Sequence, residues 1–273
     1  MKLRINPWFT DSCAVFLNNL FKWYPGSTGK ILSVLEWGGG NSSIYFLQKK
    51  CRILTIENNE DFIKDLSALS HALGYKVNVT SKLEDAASDF NDYDLTILKA
   101  DKFEDIGTSV FEMQDWSIIV NDGISRLQVI EAINERKTSA IIVLDNVEYC
   151  ANWGSLDRCS AHPDRVRSYR QILRDPSWQH YLFEQVEGRE GHSVPDATGW
   201  EAPIRWISGV LWRHDHLLAK LMVSHIGLPV VNLEGLDDRD ILTLPERCPF
   251  DWDEMKWLVD EYSNVLTLDR KFE

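Results

Sequence analysis

Lys30-Ile31-Leu32-Ser33-Val34-Leu35-Glu36-Trp37-Gly38-Gly39-Gly40-Asn41-Ser42-Ser43 is the stretch that decides the fold. Ile31, Leu32, Val34 and Leu35 form a near-continuous apolar run, the pattern of a short parallel strand covered on both faces. Glu36 stands at its end. Three successive glycines then permit a tight turn and a close backbone approach to a ligand. Asn41, Ser42 and Ser43 are suited to cap a helix starting near Ile44, which the spacing extends over about 42–50. A glycine turn alone fits any α/β protein. The acidic residue before it and a second acidic strand end at Glu57 point to a nucleotide-type cofactor.

Working outward, Arg52-Ile53-Leu54-Thr55-Ile56 reads as the second strand. Glu57, about 20 positions after the turn region begins, is placed to accept hydrogen bonds from ribose hydroxyls. Glu60 and Asp61 open an amphipathic helix over 60–73, with Phe62, Ile63, Leu66 and Leu69 on one face and Gly74 as its stop. Val77 to Thr80 is a third strand. Asp94-Leu95-Thr96-Ile97-Leu98-Lys99-Ala100-Asp101 is a further strand candidate whose place in the sheet the sequence leaves open. Trp116-Ser117-Ile118-Ile119-Val120-Asn121-Asp122-Gly123 and Ala140-Ile141-Ile142-Val143-Leu144-Asp145-Asn146 are buried strands on either side of a helix over 127–135. Strands alternating with helices predict an α/β, doubly wound, mostly parallel sheet with ligands at the carboxyl ends of its strands. Glu57, Asp122 and Asp145 make three of those ends acidic.

Two strands at 179–187 and 205–213, joined without a crossover helix, predict an antiparallel pair at the sheet edge. Residues 1–29 read as a helical extension packed on the sheet near the cleft, 30–213 as the core and 214–273 as a second helical extension. With no repeat or linker, a single domain over 1–273 is the economical organisation.

The chain has 273 residues, of which 44% are hydrophobic and 26% charged, the balance of a soluble globular protein. A net charge of −13 argues against nucleic acid and anionic membrane surfaces as partners. Five cysteines, widely spaced and without a C-x-x-C pair, fit reduced thiols and a cytoplasmic location. No apolar run approaches a membrane span. Aromatic residues in the terminal extensions are compatible with a homodimer.

Val34-Leu35-Glu36-Trp37-Gly38-Gly39-Gly40-Asn41-Ser42-Ser43 resembles the first motif of class I S-adenosylmethionine-dependent methyltransferases, in which an acidic residue precedes a G-x-G turn. The resemblance implies a seven-stranded-type sheet with a reversed last strand. It implies that Glu36, Gly38, Gly39, Gly40, Asn41 and Ser42 hold the methionine part of the cofactor, and Glu57 with Asn58 the ribose. Asp122-Gly123 and Asp145-Asn146 fall where the fourth and fifth strands of that family end, which adds Asp122 to the cofactor set. Small-molecule O-methyltransferases acting on catechols bind a divalent metal with Asp and Asp-Asn at those ends, so Asp122, Asp145 and Asn146 are candidate ligands for Mg²⁺. Trp37 and Asn121 depart from the family pattern.

A nicotinamide dehydrogenase would want a third glycine where Ser43 stands, and Glu36 disfavours a pyrophosphate. The implied activity is methyl transfer to a small-molecule or peptide acceptor, preferably at oxygen, with Asp122, Asp145 and His192 as candidate catalytic residues. His192 is the candidate base for a metal-free reaction, and Tyr149, Trp153 and Trp200 are candidates for an aromatic acceptor pocket. The alternative is a non-catalytic cofactor-binding or scaffold protein with the same fold. A nucleic-acid methyltransferase is disfavoured by charge and by the lack of an N/D-P-P-Y/W-type motif.

Overall fold

The computed structural model describes residues 9–10, 13–14, 16–18, 20–21, 30–123, 126–136, 138–145, 172, 175, 177–185, 206–213 and 216. Its strands are β1 (Ser33–Trp37), β2 (Arg52–Glu57), β3 (Val77–Thr80), β4 (Leu95–Lys99), β5 (Ile118–Asn121), β6 (Ile141–Leu144), β7 (Trp178–Gln185) and β8 (Trp206–Arg213). They form one sheet in the order β3-β4-β2-β1-β5-β6-β8-β7. The first six run parallel, and β8 runs antiparallel to both β6 and β7. This is the expected doubly wound, mostly parallel sheet with a reversed last strand, built from eight strands. The segment that could not be ordered from sequence, β4, inserts between β2 and β3.

Alternation along the parallel strands divides the apolar residues between two faces. Leu35, Trp37, Leu54, Ile56, Leu98, Ile119, Ile142 and Leu144 belong to one buried cluster, and Val34, Ile53, Ile97, Val120 and Val143 to the other. Ile31 is a correction. It precedes β1 and is 64% exposed, because pairing with β5 begins only at Val34.

Helix α1 (Asn41–Gln48) starts a few residues before the expected start near Ile44. Gly40 takes the N-cap position, and its amide donates to Ser43 Oγ at 3.0 Å, so Asn41, Ser42 and Ser43 lie inside the first turn, with Ser43 capping from within it. Helix α2 (Glu60–Ala72) is capped by Asn59, whose side chain accepts from the amides of Asp61 and Phe62, and it ends before Gly74 at φ +88°. Short helices α3 (Leu83–Asp89) and α4 (Phe103–Ile106) flank β4, and α5 (Arg126–Arg136) links β5 to β6.

Residues 41–47 of α1 are all buried, an unusual pattern for a helix beside a sheet. Its outer side is covered by the N-terminal segment, whose described residues between 13 and 21 are helical. Phe21 packs edge-on to Tyr45 and Phe46, Phe9 packs against Phe46, and the Tyr45 hydroxyl donates to Asn18 Oδ1 at 2.9 Å. The described residues of this segment share a buried cluster with one face of the sheet. Among the described residues no helix is long and apolar enough to cross a membrane.

Candidate active site

The winding direction of the fold reverses between β1 and β5. From β1 the chain passes through α1 to β2 on one side, and from β5 through α5 to β6 on the other. In open α/β sheets the carboxyl ends of the strands at such a reversal form a crevice. The glycine turn lies there.

Its glycines have distinct reasons to be glycine. Gly38 adopts φ +94°, and a Cβ on it would lie 2.7 Å from Gly123 Cα. A Cβ on Gly123 would in turn lie 2.6 Å from Gly38 N and 2.7 Å from the Trp37 carbonyl oxygen. The turns after β1 and β5 therefore touch backbone to backbone, and the Asp122 amide donates to the Trp37 carbonyl at 3.0 Å. A Cβ on Gly39 would come within 2.7 Å of Thr55 Oγ1, whereas one on Gly40 would meet nothing within 4 Å. The space above Gly40 is therefore open.

Glu36 lies fully buried beneath this turn. Ser43 Oγ donates to its Oε2, while Oε1 has no hydrogen-bond partner among the described residues. Burial pushes the carboxyl up to about 7, against the opposing pull of the Ser42, Ser43 and Thr55 hydroxyls. Glu57, at the end of β2, accepts the Gly39 amide on Oε2 (3.0 Å) and the Asn58 and Asn59 amides on Oε1 (2.9 and 2.8 Å). It therefore ties the glycine turn to the entry of α2, and Asn58 contributes a backbone amide to that tie. Lys99, beside Glu57 in the β2–β4 register, pairs with Glu60 at 2.8 Å.

An acid pair lies on the other side of the crevice. Asp145 is 2% exposed, and the Asp122 carboxyl is hydrogen-bonded to it. Burial, then the Asp145 charge, hold the Asp122 carboxyl well above the usual carboxylate range, and Arg126 opposes them. Arg126 Nη2 donates to Asp122 Oδ1 at 3.1 Å and to the Asp122 carbonyl at 2.6 Å. Ser208 Oγ donates to Asp145 Oδ1 at 3.4 Å and accepts the Thr10 amide at 3.0 Å.

The fold thus brings Glu36, the glycine turn, Glu57, Asp122 and Asp145 to one edge of the sheet. Asn146, His192, Tyr149, Trp153 and Trp200 lie outside the described residues. Four contributors were missed from sequence: Thr55, Gly123, Arg126 and Ser208. Arg126 alone had a legible signal, its i,i+4 spacing from Asp122. The departure at Asn121 is also explained, because its Nδ2 donates to the Arg126 carbonyl at 3.3 Å and closes the turn into α5.

The acidic set beside the turn fits a cofactor bearing an ammonium group and a ribose diol, since Glu36 offers an unpartnered buried oxygen and Gly40 an open approach. The acid pair fits a divalent ion poorly. A guanidinium already sits on Asp122, where a cation would have to bind.

No protein-family model and no curated protein matches the sequence. Among solved structures, cofactor-bound Rv0187 from MTB is similar over 76% of this chain and 82% of its own, at 15% identity and a TM-score of 0.50. The SAH-bound methyltransferase PaMTH1 from Podospora anserina is similar over 74% of this chain and 77% of its own, at 14% identity and a TM-score of 0.44. The chain shares the α/β fold of cofactor-bound Rv0187, a mostly parallel sheet whose last strand is reversed.

Proposed function

We propose that this protein binds S-adenosylmethionine across the carboxyl ends of β2, β1 and β5 and transfers its methyl group to a small-molecule or peptide acceptor, preferably at oxygen. The observation that carries the reading is the buried Glu36, with a free oxygen, under a turn whose first glycine is enforced by contact with Gly123. When bound, the cofactor supplies an activated methyl group on a sulfonium. Glu36 and the 38–42 turn hold its methionine end, and Glu57 with Asn58 its ribose. Asp122 flanks the cofactor and, with Asp145, forms the acceptor side.

Methyl transfer from a sulfonium is an in-line displacement, so the protein's main task is alignment. For a hydroxyl acceptor a proton must also leave. Asp122 is suited to receive it, because a carboxylate whose proton affinity is raised is a better base near neutral pH. His192 remains the candidate for that role in an acceptor-bound state. In this reading residues 30–213 are the working core of a single domain, and Mg²⁺ at Asp122, Asp145 and Asn146 rests on the resemblance alone.

Calorimetric titration with S-adenosylhomocysteine, with NAD as control, tests the reading. Micromolar binding of the first, no binding of the second and loss of binding in Glu57→Ala are expected. Failure to bind S-adenosylhomocysteine would sink it. Binding without methyl consumption across acceptor mixtures would favour the non-catalytic alternative.

A further inference from the structure

We propose that Arg126 stands in for a divalent cation, its guanidinium being the positive charge built into the Asp122–Asp145 pair. Three observations carry this. The arginine side chain is only 6% exposed and reaches Asp122 twice through Nη2, at the carboxylate and at the carbonyl, so it is held in place and does not sway from the surface. Its backbone is held too, because Asn121 Nδ2 donates to the Arg126 carbonyl. Side chain clamps backbone in both directions across the turn from β5 into α5. On the far side of the pair, Asp145 Oδ1 accepts from Ser208, which is itself engaged by the Thr10 amide.

A Mg²⁺ or Mn²⁺ ion bonds carboxylate oxygens at about 2.0–2.2 Å and demands near-octahedral oxygen donors. An ion on Asp122 would sit within a few ångströms of the guanidinium, where two like charges repel strongly in a buried site. A guanidinium differs from an ion in a way that matters for function. It cannot bind the acceptor's oxygen as a ligand, but it donates directional hydrogen bonds that fix the plane of the carboxylate. Arg126 is thus a positioning residue that orients Asp122, and the site works without metal.

This rests on the methyl-transfer reading only for its consequence in catalysis; the ion-binding test stands apart from it. Mn²⁺ binding to the full chain is measured by electron paramagnetic resonance and calorimetry, for wild type, Arg126→Lys, Arg126→Met and Arg126→Met/Asp145→Asn, with thermal melts to confirm folding. Wild type and Arg126→Lys are expected to show no saturable binding. Arg126→Met should gain one Mn²⁺ site, which the added Asp145→Asn removes. Saturable wild-type binding that Asp145→Asn abolishes would overturn the proposal, as would a folded Arg126→Met that gains nothing. If Arg126→Met does not fold, Arg126→Gln replaces it on the same terms. Loss of S-adenosylhomocysteine binding in wild type would refute the cofactor reading and leave this result standing.

Discussion

Glu36 and His180 are buried titratable groups whose effects on stability run in opposite directions. Burial raises the Glu36 carboxyl from 4.5 to about 7, so the folded state favours the protonated form. Its contribution is fully present below about pH 4.5 and is lost as pH rises through 7, an effect on the order of 3 kcal/mol. Glu36→Gln should therefore melt higher than wild type at pH 8 in the ligand-free protein, with the gap closing at pH 5. A cofactor ammonium near Oε1 would favour the carboxylate, so S-adenosylhomocysteine affinity should rise with pH across 7 in wild type and stay flat in Glu36→Gln. A flat wild-type profile would separate Glu36 from the cofactor. His180, on β7, is 4% exposed and neither ring nitrogen has a hydrogen-bond partner among the described residues. Desolvation lowers it from 6.5 to about 4, so its contribution holds above pH 6.5 and falls away as pH drops towards 4. Thermal melts of His180→Leu should lose less stability than wild type between pH 6.5 and 4.5. As far as these two groups go, the slopes cancel between pH 4.5 and 6.5, and each single variant exposes the other.

At the scale of elements, two junctions matter. The first is the backbone contact between the β1 and β5 turns. Gly123→Ala puts a methyl group 2.6 Å from Gly38 N, which only a backbone shift relieves. A cost of about 1–3 kcal/mol is expected in denaturant unfolding, together with weaker cofactor binding. An unchanged unfolding midpoint would mean that the two turns part without cost. The second junction is the N-terminal segment over α1. Phe16 is 5% exposed and its ring centroid lies 5.3 Å from that of Phe183 on β7. Phe16→Ala should cost about 3–5 kcal/mol, the usual range for a buried Phe truncation. A cost below about 1 kcal/mol, close to the surface range, would show that the segment is not part of the core. Strands β1 to β6 and helices α1, α2 and α5 were legible because each carries its own period, cap or stop, whereas the short helices α3 and α4 were not read from the sequence. The start of α1 was misread by a few residues because Ser43 caps from inside the helix, a bond that local propensity does not distinguish from an N-cap. Ile31 was misread because burial needs a neighbouring strand, and β5 does not reach that far.

At the scale of the whole molecule, the reversal of winding between β1 and β5 gathers acids from four strands along one sheet edge. The identities of these acids could be read from the chain: Glu36, Glu57, Asp122 and Asp145 each end a recognisable strand, and the glycine turn announces itself. These are short-range features, set by apolar alternation and by residues that tolerate tight turns. The insertion of β4 between β2 and β3, the contact of Gly38 with Gly123, and the meeting of Arg126 and Ser208 with the acid pair were decided by the tertiary structure. Strand order depends on which edges pair over long separations. The state of a buried carboxylate depends on which donor lies within 3 or so ångströms, roughly hydrogen-bond reach. Neither is encoded in a local window, and so the amino-acid sequence by itself determined the class of fold and the chemistry available, while packing decided which charge faces which.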